Sequence, residues 1–350
     1  MREKMEKLIV LPFPREDIRE IESIVRAVDC FVALVNGDLY DVGTHLAAED
    51  FKFTATLDRN IYTRIAGLAS GSPIPVEQLR DYRCAAAILA FAQITDITFD
   101  YFSSLYEYAS TQGGSEAIND LNRFRAADSF DTREVIEFAL GRTDSPPRTV
   151  LKSVAPTPPA ESEFERVTYQ FRVNYTLALK VAILAKEPIP PVERMLQFLD
   201  WLHAEFVWGA PAAIFANRYF SPSRFGRMLK GFTRRGIKNA AWDMALVQVW
   251  RKHALAGLKN GKPALLISRD RAVRDMAQKI SAETNEELAG FIREPWGKNS
   301  TEGKRVLAHY LRLNAPYEAG NKDGRKLPEH PEQVKIMAQL EEQLFGKGAT

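Results

Sequence analysis

The chain has 350 residues, 45% of them apolar and 26% charged, with a formal net charge of +2 at pH 7. That is ordinary for a soluble globular protein with one large core or two domains, and it excludes a polycation that holds nucleic acid by bulk charge. The two cysteines, Cys30 and Cys84, are far apart; they fit no metal spacing and imply packed thiols in a reducing compartment. No apolar run is long enough to span a bilayer and residues 1–12 show no signal peptide, so a cytoplasmic protein without membrane contact is expected.

In chain order, residues 8–11 suit a short strand and Arg15 to Val28 a helix with Ile18, Ile21, Ile24 and Val28 on one face. Cys30 to Val35 is a second strand candidate, ended by the turn pair Asn36-Gly37. Phe51 to Leu57 alternates and is rich in β-formers, which predicts a strand closing on Asp58. Arg83 to Ser110 reads as one long helix. Asp131-Thr-Arg-Glu134 is a capping-box pattern for a helix that stops at Gly141. Residues 142–160 are proline-rich and suit a connector. Ser162 to Glu165 caps another long helix, Val192 to Val207 is amphipathic with Met195, Leu196, Leu199 and Leu202 inward, and Ser221-Pro222 opens the next helix. Near the C-terminus an apolar helix containing Asn239 and Asp243 leads to the buried strand Ala264 to Ile267, then to Asp270 and a further helix. A final helix, roughly 331–345, is expected to be exposed. Strands at both ends with about 170 mostly helical residues between them predict an α/β fold carrying a large, mostly α-helical insertion.

Four acids stand out in this frame: Asp58, Glu107, Asp243 and Asp270. Asp58 and Asp270 fall where strands end, the edge at which open α/β sheets place ligands. Glu107 lies late in the first long helix and Asp243 in a helix that is apolar nearly all round. A buried unpaired carboxylate is costly, and two at about 5 Å repel by about 3 kcal/mol at an effective dielectric of 20. A hard divalent cation relieves both costs, and an all-oxygen site favours magnesium or manganese. Each acid also has a plain structural role open to it. Asp58 and Asp270 suit helix caps, Asn239 suits the N-cap of the helix that carries Asp243, and Asp96, Asp100 and Glu116 rival Glu107.

These residues resemble a family. Leu57-Asp58-Arg59-Asn60-Ile61 is similar to the opening motif of PIN-like nuclease domains. Asn239-Ala-Ala-Trp-Asp243 resembles their later acidic helix, and Leu265-Leu-Ile-Ser-Arg-Asp270 the strand that follows it. The resemblance implies a PIN-like parallel sheet flanked by helices. It also implies that Asp58, Asp243 and Asp270, with Glu107 as the helical acid, hold one or two metal ions and cleave phosphodiesters, usually in RNA. Asn60 and Asn239 would support the site and Asp275 would be an extra ligand. The PIN-like domain would then comprise residues 1–75 and 221–319, with 76–220 as the insertion and 320–350 as a polar tail.

From Phe206 to Trp242 there is no acidic residue, while Arg218, Arg224, Arg227, Lys230, Arg234, Arg235 and Lys238 fall in the same window. Local clustering of this kind suits phosphate binding; a solvated or protein-binding basic helix is the plain alternative. All but Arg218 are taken as candidate nucleic-acid contacts. The expected function is a metal-dependent endonuclease using Mg2+ or Mn2+, with RNA as partner and a regulatory protein or a second copy as a further one. The alternative is a catalytically incomplete PIN-like module that serves as a nucleic-acid-binding or protein-interaction scaffold.

Overall fold

The computed structural model describes residues 12–34, 38–47, 52–151, 169–222, 229–260, 262–280, 285–297, 299–318 and 328–346. The strand expected at 8–11, the turn at 36–37, the cap at 162–165 and the second half of the proline-rich connector, from residue 152, lie outside them. The chain divides into two compact units. Unit 1 comprises residues 1–166 and 252–270; unit 2 comprises 167–251 and 271–350. The helices between 76 and 140 therefore belong with the sheet, not with a separate insertion, which moves the domain boundaries expected from sequence.

Unit 1 runs α1 (Arg15–Val28), β1 (Phe31–Ala33), α2 (Val42–Ala47), β2 (Thr54–Leu57), α3 (Arg59–Leu68), α4 (Leu79–Ile94), β3 (Thr98–Asp100), α5 (Phe102–Gln112), α6 (Gly114–Asp128) and α7 (Thr132–Ala139). It is completed by the end of the helix Arg234–Lys259 and by the later strand Ala264–Ile267. The fold is α/β: a small mixed sheet flanked by helices. With that later strand as β4, the order is β1-β4-β2-β3. Strand β2 is parallel to both β4 and β3, whereas β1 joins β4 antiparallel, which corrects the all-parallel expectation. All four residues of β4 are buried, as a strand with both faces covered requires. The helices pack through small buried side chains, among them Ala85 to Ala87 of α4.

Strand β3 splits what the sequence suggests is one helix. Asp96 takes a left-handed conformation (φ 55°), Ile97 N–H returns to Ala92 O (2.9 Å), and the chain turns into the sheet beside β2. At α7, Asp131 is the N-cap, accepting from Arg133 N–H (2.8 Å). Glu134 does not close the capping box; its carboxylate takes the N–H groups of Arg148 and Thr149 instead.

Unit 2 comprises α8 (Tyr169–Lys186), α9 (Pro191–Ala204), α10 (Ala210–Phe220), the part of α11 (Arg234–Lys259) up to Arg251, α12 (Arg271–Ile280), α13 (Asn285–Arg293), α14 (Thr301–Glu318) and α15 (His330–Phe345). Ser221 is the C-cap of α10, and the helix expected to follow Ser221-Pro222 falls on residues outside the described ones. On α9, Met195, Leu199 and Leu202 are buried as expected, with Phe198 inward and Leu196 only half-buried. Helix α15 is not a free tail: it packs on α8, Leu340 is buried, and Tyr175 Oη donates to Glu341 (2.6 Å).

Asn217 of α10 is fully buried and holds two later segments. Its amide donates to Ile292 O (2.8 Å) and accepts from Trp296 Nε1. Asn217→Ala leaves both partners without it inside the protein, and each such loss costs about 1–3 kcal/mol. The expected result is a fall of about 2–4 kcal/mol in unfolding free energy, read from urea titration; a loss below about 0.5 kcal/mol would show that water replaces the amide.

Candidate functional site

The C-terminal ends of β2 and β4 carry the strongest polar arrangement in unit 1. Leu57 pairs with Ile267, so Asp58 and Ser268 are the next residues on two adjacent parallel strands. Asp58 N–H donates to Ile267 O (2.9 Å), and Ser268 Oγ donates to Asp58 Oδ2 (2.6 Å). Asp58 also caps α3, its Oδ1 accepting from Asn60 N–H (3.4 Å). Ser268 Oγ in turn accepts from Asp270 N–H (3.0 Å), so one hydroxyl fixes both acidic positions. Asp58 is only 3% exposed and Asp270 is exposed. Burial pushes the Asp58 carboxyl above the ordinary carboxylate range; Ser268 and Asn60 pull it back, and the charge of Asp270 pushes it up again.

Among the described residues, three further contacts of acidic side chains lie near the ends of these strands. Glu107 of α5 meets Arg59, the residue after Asp58, at 3.2 Å, and Arg59 lies over the Tyr108 ring. Glu107 is thus tied to the start of α3 through an arginine. Arg269 donates to Asp81 (2.7 Å), which holds that carboxyl below its ordinary range. Asp100, at the end of β3, has its Oδ2 3.2 Å from His253 Nδ1.

Of the rivals to Glu107, Asp100 has the strand-end position, whereas Asp96 sits in the turn before β3 beside Lys52. Sequence reasoning gave Asp120 no role. It is buried on α6, and among the described residues its Oδ2 has no hydrogen-bond partner. Burial raises its pKa to about 6, with Arg123 and Arg59 opposing and Glu116 adding to the rise. A lone acid among the buried positions Ala117, Leu121 and Phe124 is the signal that could have marked it. Ser268 was legible only as a serine in the third motif; its bridging role needs the strand register.

The remaining predicted residues belong to unit 2. Asp243 is half-buried on α11, one turn beyond Asn239. Asn239 is not an N-cap: the helix opens at Arg234, where Thr233 Oγ1 accepts from Gly236 N–H (3.1 Å). Asp275 is an ion-pair partner of Arg218 (3.3 Å) and Lys279 (3.8 Å), and burial raises its pKa. Asp275, expected as an extra ligand, is thus engaged by two cations of unit 2. Arg218 also meets Glu294 (3.2 Å), so the first cation of the basic segment is structural. Arg234 approaches Glu341 (3.7 Å) and stacks over Phe345, whereas Arg235 and Lys238 are exposed. Arg224, Arg227 and the Lys230 side chain lie outside the described residues.

Among the described residues, no three His, Cys, Asp or Glu side chains form a group that could hold a metal ion. Magnesium does not require three, since it keeps several waters and is commonly held by one or two carboxylates plus substrate phosphate. The Asp58 and Asp270 carboxylates are hard oxygen donors, and a cation would offset both the burial and the like charge that raise the Asp58 pKa. All-oxygen donors of this kind belong to the class that hard divalent cations take.

No family model matches the chain, and comparison with curated proteins and with solved structures finds no similar protein. Among the described residues, no helix is long and apolar enough to cross a membrane.

Proposed function

We propose that unit 1 is a metal-dependent phosphodiesterase acting on nucleic acid, with RNA as the expected substrate. The observation that carries this is Ser268 joining Asp58 and Asp270 at the ends of adjacent parallel strands. Asp58 and Asp270 would hold Mg2+ or Mn2+, and the bound ion would activate water and stabilise the charge on the scissile phosphate. Ser268 fixes the Asp58 carboxylate, while Arg59 holds Glu107 close to the opening of α3. The PIN-like reading of the fold is supported by Asp58 closing a strand that has parallel neighbours on both sides. This reading rests on Asp58 and Asp270 and does not require Asp243. Within unit 2, Arg235 and Lys238 are exposed at the start of α11 and are separate candidates of the basic segment for meeting phosphate.

A second reading is favoured by the partners that the acids already have. Asp58 caps a helix, Glu107 is paired with Arg59 and Asp100 with His253, as in a scaffold that binds nucleic acid without cutting it. One assay separates the two. The full chain is incubated with end-labelled RNA in Mg2+, in Mn2+ and in EDTA. Cleavage in either cation that EDTA abolishes is expected. Binding without cleavage in both cations overturns the nuclease reading in favour of the scaffold.

A further inference from the structure

The end of β3 presents two side chains that the proposed chemistry does not use. Phe102, the first residue of α5, is 55% exposed, and His253 has 48% of its side chain exposed. One carboxylate contacts both residues: Asp100 Oδ1 accepts from the backbone N–H of Phe102 (3.2 Å), and Asp100 Oδ2 lies 3.2 Å from His253 Nδ1. A single exposed phenylalanine needs no explanation, but this one is fixed in place. Its ring stacks on Tyr101 with centroids 5.3 Å apart, and Tyr101 packs on Phe124 at 5.2 Å. Ser104 Oγ donates to Leu57 O, which pins the first turn of α5 to the end of β2, one residue before Asp58. With Nδ1 turned to Asp100, Nε2 is the His253 nitrogen left for a ligand. An exposed, buttressed aromatic ring and a polar ring nitrogen, on two residues anchored to one carboxylate at a strand end of an α/β sheet, suit an unpaired nucleotide: a surface for the base and a contact for the sugar-phosphate.

We propose that Phe102 and His253 form a nucleotide subsite at the end of β3, the base of a single-stranded nucleic acid stacking on Phe102 and its backbone meeting His253. The subsite rests on the phosphodiesterase reading and adds strandedness to it, because bases paired within a duplex offer no free face.

The test is fluorescence anisotropy of a fluorescein-labelled 12-nucleotide oligouridylate with the full chain in EDTA. Phe102→Ala is expected to weaken binding by roughly 5- to 160-fold, the range for losing one stacked base. Phe102→Trp should restore it, His253→Ala should weaken it several-fold, and unlabelled duplex of equal length should compete poorly. Phe102→Ala with unchanged affinity, or a duplex that competes as well as the single strand, overturns the proposal. Because EDTA removes the metal, the outcome is independent of cleavage. Phe102-dependent binding by a chain that never cleaves upholds the subsite and sinks the nuclease reading. Cleavage together with binding indifferent to Phe102 overturns the subsite and keeps the nuclease.

Discussion

Asp58→Asn is expected to lower metal-dependent cleavage by about 100-fold or more while leaving the protein folded. Loss of a group that merely orients a metal ligand costs 10- to 100-fold as a rule, and a ligand itself should cost no less. The structure is expected to tolerate the change because asparagine is as good an N-cap as aspartate: its one oxygen can take Asn60 N–H, and its amide NH2 can donate to the Ser268 oxygen, with the hydroxyl turning to accept. Stability should move the other way from activity. Burial raises the folded-state pKa of Asp58 above its unfolded value, so the folded chain binds the proton more tightly. The contribution of Asp58 is then fully present below about pH 4, where both states are protonated, and is lost as pH rises through the folded pKa. Asparagine has no such loss. The melting temperature of the variant, compared with that of the parent at pH 5 and pH 8 without metal, should therefore gain ground at the higher pH. Parental cleavage rates in the variant would eliminate the proposed site. A variant that loses ground between pH 5 and pH 8 would refute the cost of burying the charge.

Gly257→Ala is expected to destabilise unit 1 by about 3 kcal/mol, at the upper end of what overpacking costs. A Cβ at position 257 would sit 1.9 Å from Lys262 O and 3.0 Å from Lys262 C, both backbone atoms that cannot swing aside. The same turn is tied by Lys262 N–H (2.8 Å) and Asn260 N–H (3.0 Å), both donating to Gly257 O. Moving it would displace Pro263, whose carbonyl accepts from Thr54 N–H (3.2 Å) at the start of the β2–β4 pair. Alanine is the better helix former by about 1 kcal/mol, which offsets part of the clash and not all of it. Gly290→Ala on α13, where nothing lies within 4 Å of the added carbon, is the control and should be neutral or slightly stabilising. Equal urea midpoints for the two variants would show that the 257–262 turn relaxes without cost.

Much of the framework was legible because its signals are local. Ala264 to Ile267 is a continuous apolar run, and it is β4 to the residue. Phe51 to Leu57 alternates with β-formers, and Thr54–Leu57 is β2, with Asp58 at its end as expected. What escaped depends on contacts distant in sequence. Strand β3 is three residues long inside a helix-like run; Thr95 and Asp96, both poor helix formers, were its faint mark. The antiparallel setting of β1 is fixed by its pairing with β4 and leaves no trace in Phe31 to Ala33. At the site, two of the four chosen acids, Asp58 and Asp270, are joined by Ser268, a residue whose importance arises only from the β2–β4 register. In the basic segment, charge counting cannot see Asp275 and Glu294 coming from later helices to engage Arg218, which was not among the candidate contacts.

Strand β4 lies between β1 and β2 yet is reached only after the chain has passed through four of the eight helices described in unit 2. During synthesis, the first 166 residues emerge from the ribosome without the piece that joins their strands. Until residue 267 has been made, β1 lacks its ladder partner and β2 keeps an open edge. The nascent polypeptide must carry that unpaired edge while about a hundred further residues are added, and the closing contacts span more than 200 positions in sequence. Slow, late closure is the kinetic cost of such long-range pairing, and the waiting intermediate is the species a chaperone would be expected to hold.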